Sequence, residues 1–514
     1  MPMRAWWETS HALSEAPASR RRPVNFEEWL KAAADADAAE GRLLALWGTP
    51  QAHDPSSVII RGALSTNLGV LVLELPPLRD GDYYPGLQEI FPAASRMQRA
   101  VFDLLGIRSD DADTRPWVRH AAWSADTFPL RTDEPLPPPP APVADAYEFV
   151  RVEGDGVHEI PVGPVHAGTI EPGHFRFSIV GEKVLRLEER LGYTHKGIER
   201  RFLDFPALVG HRLAARVSGD SAVAFSWAYC QALESLSGCT IPRRALFLRA
   251  LCLEIERMQN HLGDLGALGN DAGFAFGLTQ FSFLKEELLR TVEWAFGQRY
   301  LLDAIVPGGM RLELQPDHSR ALIERIQRLA AAAGHLSEIY EEHSGLRDRF
   351  VGAGRVSPEL ARRLGLCGLA GRASGQDYDA RVDLPVPPYD EIVTVKIVRE
   401  EGDVAARVAV RFEELQESCR LALHILDRLP RDAHRVELAA PAADTLGIGL
   451  VEGWRGPVFV ALEVSRNGMI HRCHPHEPSW QNWPVLEHAI IGNIVPDFPL
   501  INKSFNLSYS GHDL

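Results

Sequence analysis

Six prolines within eight residues, Pro135-Leu136-Pro137-Pro138-Pro139-Pro140-Ala141-Pro142, constrain this chain more than any other feature of its 514 residues. Each proline fixes φ and withholds an N–H, so neither a helix nor a central strand passes through such a run. Consecutive prolines form a stiff, extended spacer instead. The tract therefore divides the chain into a flexible tail over 1–24, a small α+β unit over 25–134, a proline-rich linker over 135–150 and a long unit over 151–514. A chain of this length has room for an ample core.

Hydrophobic periodicity fills in both units. In the first, it predicts a helix from Phe26 to about Leu46, strands at 57–61 and 69–75, and a helix over 93–105 whose apolar stripe is Met97, Ala100, Val101, Leu104 and Leu105. In the second, strands at 175–180 and 184–188 precede long helices at 243–265, 280–296, 319–333 and 403–429. The reading is a mainly helical bundle with a small sheet at its N-terminal edge.

Composition excludes several classes of function. Apolar residues make up 45% and charged residues 24%, with a formal net charge of −15. A nucleic-acid binder needs a basic face, so none is expected here. No stretch approaches 18 uncharged apolar residues, so no span of a bilayer is expected. Arg20-Arg21-Arg22 lacks the apolar core of an export signal and reads as part of a solvated tail. The six cysteines, Cys230, Cys239, Cys252, Cys367, Cys419 and Cys473, form no Cys-x-x-Cys pair and read as buried thiols in a reducing cytosol. No Gly-x-Gly-x-x-Gly follows a strand, so no NAD site is expected.

The motifs are more specific. Tyr84-Pro85-Gly86-Leu87-Gln88-Glu89-Ile90-Phe91-Pro92 and Asp103-Leu104-Leu105-Gly106-Ile107 resemble the 30-kilodalton-type subunit of respiratory complex I, a domain shared with group 4 hydrogenases. Gly163-Pro164-Val165-His166, Gly173-His174-Phe175-Arg176-Phe177, Leu191-Gly192-Tyr193-Thr194-His195-Lys196-Gly197-Ile198-Glu199, Arg372-Ala373-Ser374-Gly375 and Asn482-Trp483-Pro484 resemble the group 4 hydrogenase large subunit and the complex I 49-kilodalton subunit. The resemblance covers nearly the whole chain. It implies a fused large subunit of the formate hydrogenlyase or hydrogenase-4 type, its α+β domain joined to a mainly helical, hydrogenase-like domain.

Against that pattern the metal-binding thiolates are missing. The two Cys-x-x-Cys frames of active hydrogenases read Ser218-Gly219-Asp220-Ser221 and Ser508-Tyr509-Ser510-Gly511. Serine hydroxyls do not ionise at neutral pH and do not replace soft thiolates on nickel, so no metal site is expected. Ending at Leu514, without the extension cleaved after nickel insertion, the chain is expected to need no such maturation. The quinone-binding tyrosine of complex I falls on Gly219, while its partner histidine aligns with His174. Half of that constellation survives, and quinone stays open as a ligand.

The segments walling the former cavity supply the candidate residues. Glu199, Asp220 and His195 form a candidate proton relay, Glu199 standing where hydrogenases pass protons away from the metal. A buried carboxyl there would need a raised pKa. His166, His174, Arg216, Ser218, Ser221 and Ser508 are the candidate cavity lining, with Arg216 able to bind an anionic ligand or, the commoner outcome, to pair with Asp220 or Glu199. His471, Cys473, His474 and His476 are dense enough for zinc, but relatives have a strand there, which turns Cys473 away from His474 and His476.

The resemblance implies an iron–sulfur small subunit, where the cluster would reside, and antiporter-like membrane subunits with a membrane anchor subunit as partners. The chain would lie in the cytoplasm, on the inner face of the cell membrane. It would couple electron transfer to ion translocation without a nickel–iron centre; the alternative is a structural adaptor docking a catalytic module on the membrane arm.

Overall fold

A computed structural model describes residues 2–119, 121–131, 147–168 and 170–514. The proline tract lies outside the described residues. The first unit is built on a five-stranded sheet in the order His11–Glu15, Ala18–Pro23, Gly69–Glu74, Asp54–Thr66, Arg42–Gln51. The helix Phe26–Ala38 covers one face with Trp29, Ala32, Ala33 and Ala36, and Ala94–Leu105 packs on the same core. Asn25 and Glu28 form a reciprocal capping box that starts the first helix.

Two expectations fail in this unit. The helix predicted to reach Leu46 stops at Ala38, and Arg42–Gln51 is a strand. Gly41 makes the switch: a Cβ there would lie 2.9 Å from the carbonyl oxygens of both Ala36 and Ser65. Leu43 to Trp47 read as helical because they are apolar on both faces, and both faces are buried. The predicted tail 1–24 is also structured. Pro2–Glu8 is a helix, and Ala18–Pro23 pairs in parallel with Gly69–Glu74. Its arginines are held rather than solvated: Arg20 donates to the carbonyls of Trp7 and Ser10, and Arg22 lies over Trp6 and reaches Glu28.

The second unit opens with a three-stranded antiparallel sheet, Val157–Val162, His174–Val180 and Lys183–Arg190. The long helices Arg243–Asp271, Ala275–Phe296, Pro316–Glu342 and Val404–Asp427 follow. A second three-stranded sheet, Leu446–Glu452, Pro457–Val464 and Ile470–His476, has only its last strand foreshadowed in the sequence.

This second sheet joins the two units. Leu44, Trp47, Val70 and Val72 from the first unit pack on Leu446, Ile448, Leu450 and Phe459 from the second. Charge reinforces the seam: Arg61 pairs with Glu463, and Arg96 with Glu189 and Glu487. The chain thus has two units in sequence, but their cores are continuous.

Candidate functional site

The serine segments converge. Ser218 and Ser221 precede the helix Ala222–Leu236, and Ser508 caps the helix Tyr509–Asp513 by accepting from Gly511 N–H. Ser218 Oγ donates to Asp220 Oδ1 at 2.7 Å and lies 2.8 Å from Ser508 Oγ. Since Ser218 spends its proton on the carboxylate, Ser508 donates to Ser218. The result is a directed chain from Gly511 N–H through Ser508 and Ser218 to Asp220.

Arg455 anchors that chain. Its guanidinium pairs with both carboxylate oxygens of Asp220, and Nη1 also lies 3.3 Å from Ser221 Oγ and 3.5 Å from Glu477 Oε1. Nε donates to the Asn506 carbonyl. All three guanidinium nitrogens therefore have acceptors. Burial pushes the Asp220 carboxyl up, but Arg455 outweighs it and holds the pKa below the ordinary value. Glu477, farther from the cation, is raised by its burial.

A nickel–iron group does not fit this donor set. It needs soft thiolates, and the convergent side chains are hydroxyls around the Arg455–Asp220 ion pair. The fourth position has no room either: a Cβ on Gly511 would lie 2.7 Å from Glu477 Cγ and 2.8 Å from Ser508 Oγ. Among the described residues, no group of three or more His, Cys, Asp or Glu is arranged to hold a metal ion.

Glu199 occupies a separate site at the seam. Arg472 Nη2 and His474 Nδ1 both lie 2.7 Å from its Oε1. Burial raises its pKa, but these two partners more than reverse the effect and bring it down to about 2. The raised carboxyl expected of a relay is thus found at neither Glu199 nor Asp220. Among the described residues, the two carboxylates also have no hydrogen-bond partner in common. His195 hydrogen-bonds the Asp513 carbonyl at 2.7 Å and meets Trp123 edge-on.

The remaining candidates divide. His166 reaches the serine segment through Tyr509, its Nε2 3.4 Å from the phenol oxygen. His174 faces the Gly163 carbonyl beside Phe149, and burial lowers its pKa. Arg216 does not line the cavity: it forms a two-pronged pair with Asp303 and is about half exposed, its side chain at 48%. The arginine of the serine cluster is Arg455, set in the turn Gly453-Trp454-Arg455-Gly456 between two strands. In the sequence Glu256 reads, with Glu254, Arg257 and His261, as part of a packed, charge-balanced helix, but it is bonded to backbone rather than to a cation. This buried carboxylate accepts from Val223 and Ala224 N–H at the start of the helix Ala222–Leu236, and burial raises its pKa to about 8. His474 and His476, on the strand Ile470–His476, bond Glu199 and Gln481 respectively.

Residues 51–140 match the family of the respiratory-chain NADH dehydrogenase 30-kilodalton subunit, and residues 271–446 that of the 49-kilodalton subunit. Formate hydrogenlyase subunit 5 of Escherichia coli is 32% identical over 440 residues, spanning 84% of this chain and 77% of that relative. Hydrogenase-4 component G of the same organism is 29% identical, spanning 84% and 76%. The NADH-quinone oxidoreductase subunit 4 of Thermus thermophilus is 29% identical, spanning 71% and 95%. Among solved structures, a chain of the membrane-bound sulfane sulfur reductase, an archaeal respiratory membrane complex, superposes with a TM-score of 0.65 at 24% identity, covering 70% of this chain and 99% of that one. The chain belongs to the family of fused 30-kilodalton–49-kilodalton-type subunits that includes formate hydrogenlyase subunit 5 and hydrogenase-4 component G, with serines and a glycine where that resemblance calls for nickel-binding cysteines.

Proposed function

We propose that this chain is the peripheral large subunit of a membrane-bound, complex I-like oxidoreductase, coupling electron transfer from an iron–sulfur small subunit to ion translocation without a nickel–iron centre of its own. One observation carries the reading: Ser218, Ser221, Ser508 and Gly511 converge around the Arg455–Asp220 pair. Among the described residues no helix is long and apolar enough to cross a membrane, which agrees with attachment through antiporter-like and anchor subunits. The cluster lies close to the surface, with Gly219 exposed beside it. That is a suitable place for a neighbouring subunit to deliver electrons, and quinone is the acceptor the complex I relatives suggest.

The engagement of Arg455 also favours a second reading. A guanidinium whose three nitrogens all bond within the protein is suited to a structural role, as in an adaptor. Metal analysis and EPR of the complex purified with its partners separate the readings. Iron–sulfur signals without nickel, perturbed by added quinone, are expected. Stoichiometric nickel would overturn both readings, and a complex lacking reducible clusters would leave the adaptor.

A further inference from the structure

One guanidinium serves two carboxylates at a buried point of the seam. Arg96, on the helix Ala94–Leu105 of the first unit, donates through Nη1 to Glu189 Oε1 at 2.7 Å and through Nη2 to Glu487 Oε1 at 2.9 Å. Glu189 lies on the strand Lys183–Arg190 and Glu487 on the helix Ser479–Ala489, both of the second unit. The Glu189 side chain is fully buried, that of Arg96 is 9% exposed and that of Glu487 22%.

The surroundings bring no second counterion. Among the described residues, no other cation pairs with either carboxylate. Arg99 stacks on the same Trp117 ring as Arg96, but it is engaged by Asp113, Tyr147 and the carbonyls of Arg115 and Pro116. Arg190 points to the opposite face of its strand, where it donates to the Trp117 carbonyl. Burial holds the nearby Tyr509, His512 and His488 in their neutral forms at pH 7.

The two carboxylates are not equivalent. Glu487 Oε1 accepts from Arg96 and from the Glu189 N–H at 3.0 Å, and its side chain reaches solvent. Glu189 Oε2 is buried with no partner among the described residues. Negative charge on an oxygen sealed from water without a donor is costly, and two carboxylates at one site resist ionising together. A proton on Oε2 removes that charge and leaves Oε1 to accept from Arg96. Burial raises the Glu189 carboxyl well above the usual carboxylate range, Glu487 adds to the rise, and Arg96 does not offset it.

We propose that the Arg96 junction is a proton-binding site of the seam: Glu189 holds one proton at neutral pH, Glu487 alone carries the charge that pairs with Arg96, and loss of the proton loosens the contact between the units. In the unfolded chain a glutamate releases its proton at about pH 4.3. The folded seam keeps it above that value. Stability from this site is therefore complete below about pH 4.3 and is lost as pH rises through the raised folded value.

The test compares Glu189→Gln, Glu487→Gln and the double variant in the full chain by urea unfolding at several pH values. Glutamine keeps the shape and the acceptor of a neutral carboxyl. At pH 7 Glu189→Gln is expected to shift the midpoint little and to flatten its decline at higher pH. The double change strips Arg96 of both partners and lowers the midpoint by more than the single changes together. A Glu189→Gln loss as large as that of the double variant, or a decline with pH that Glu189→Gln leaves unchanged, overturns the proposal, because Glu189 would then be ionised. A Glu189→Gln chain that does not fold at pH 7 overturns it too, since a neutral side chain would fail where a neutral acid is proposed to stand. Infrared spectroscopy is the second measurement and needs no unfolding transition. The unmodified protein at pH 7 is expected to show a carboxylic-acid C=O stretch that Glu189→Gln lacks, and equal absorption in the two overturns the proposal.

Discussion

Glu199 and Glu256 are both buried glutamates in the long unit, yet they lie at opposite ends of the carboxylate range. Glu199 is held at about 2 and Glu256 at about 8. Burial is the largest influence on each and pushes both upward. What differs is the company. Glu199 faces Arg472 and His474, whereas Glu256 is satisfied by two backbone N–H groups and receives a further upward push from Asp220. A helix N-terminus offers partial positive charge, but in this interior it does not replace a guanidinium. Asp220 sides with Glu199, because Arg455 is its partner.

If counterions decide these sites, removing one has the largest effect. Arg455→Met leaves the buried Glu477 and the partly exposed Asp220 beside an apolar side chain. Breaking a buried pair from one side costs about 3–5 kcal/mol, and the solvent reaching Asp220 moves the expectation to the lower end. Chemical denaturation would measure it as a shifted midpoint with unchanged slope. Adding Asp220→Asn restores a substantial part. Equal losses in the single and double variants would show that Arg455 acts through packing and its bond to the Asn506 carbonyl.

A smaller effect is expected where the two serine frames converge. Gly511→Ala places a methyl against Glu477 and Ser508, and overpacking of this kind costs about 1–3 kcal/mol. Gly511→Cys is penalised similarly. Rebuilding all four cysteines is therefore expected to give an unstable chain rather than a nickel protein, checked by thermal unfolding and metal content. A quadruple variant that folds normally and retains nickel would show that the packing around Gly511 does not exclude a thiolate there.

The sequence carried the parts of this picture that are local. The four long helices and the strands Asp54–Thr66, Gly69–Glu74, His174–Val180 and Lys183–Arg190 were anticipated in part from their apolar runs and spacing. The strands Arg42–Gln51, Leu446–Glu452 and Pro457–Val464 were not, since they are buried on both sides where two sheets stack, and alternation is lost. The serine frames were legible as spacing. Their partner was not: Arg455 is 235 residues from Asp220, and nothing in its own segment distinguishes it from Arg216, which points to Asp303 instead. The sign of a pKa shift is equally remote from sequence, because it depends on whether a cation from another element arrives.

The finest test compares the pH dependence of the two glutamates, for which the signs are opposite. The folded pKa of Glu199 is lowered to about 2, below the unfolded value of about 4.3. Its contribution is present above the unfolded value and is lost as pH falls from about 4 toward 2. The folded pKa of Glu256 is raised to about 8, so between about 4.3 and 8 the folded state holds a proton that the unfolded state has released. Stability from this group is complete below that window and declines as pH rises through it, by up to about 1.4 kcal/mol per unit. Glu199→Gln should therefore flatten the acid limb of a stability–pH curve, and Glu256→Gln the limb between about pH 5 and 8. Urea midpoints across about pH 3–9 measure both. If Glu256→Gln leaves the upper limb unchanged, the two backbone N–H groups suffice to hold the carboxylate ionised, and the contrast with Glu199 is one of partners without consequence for charge.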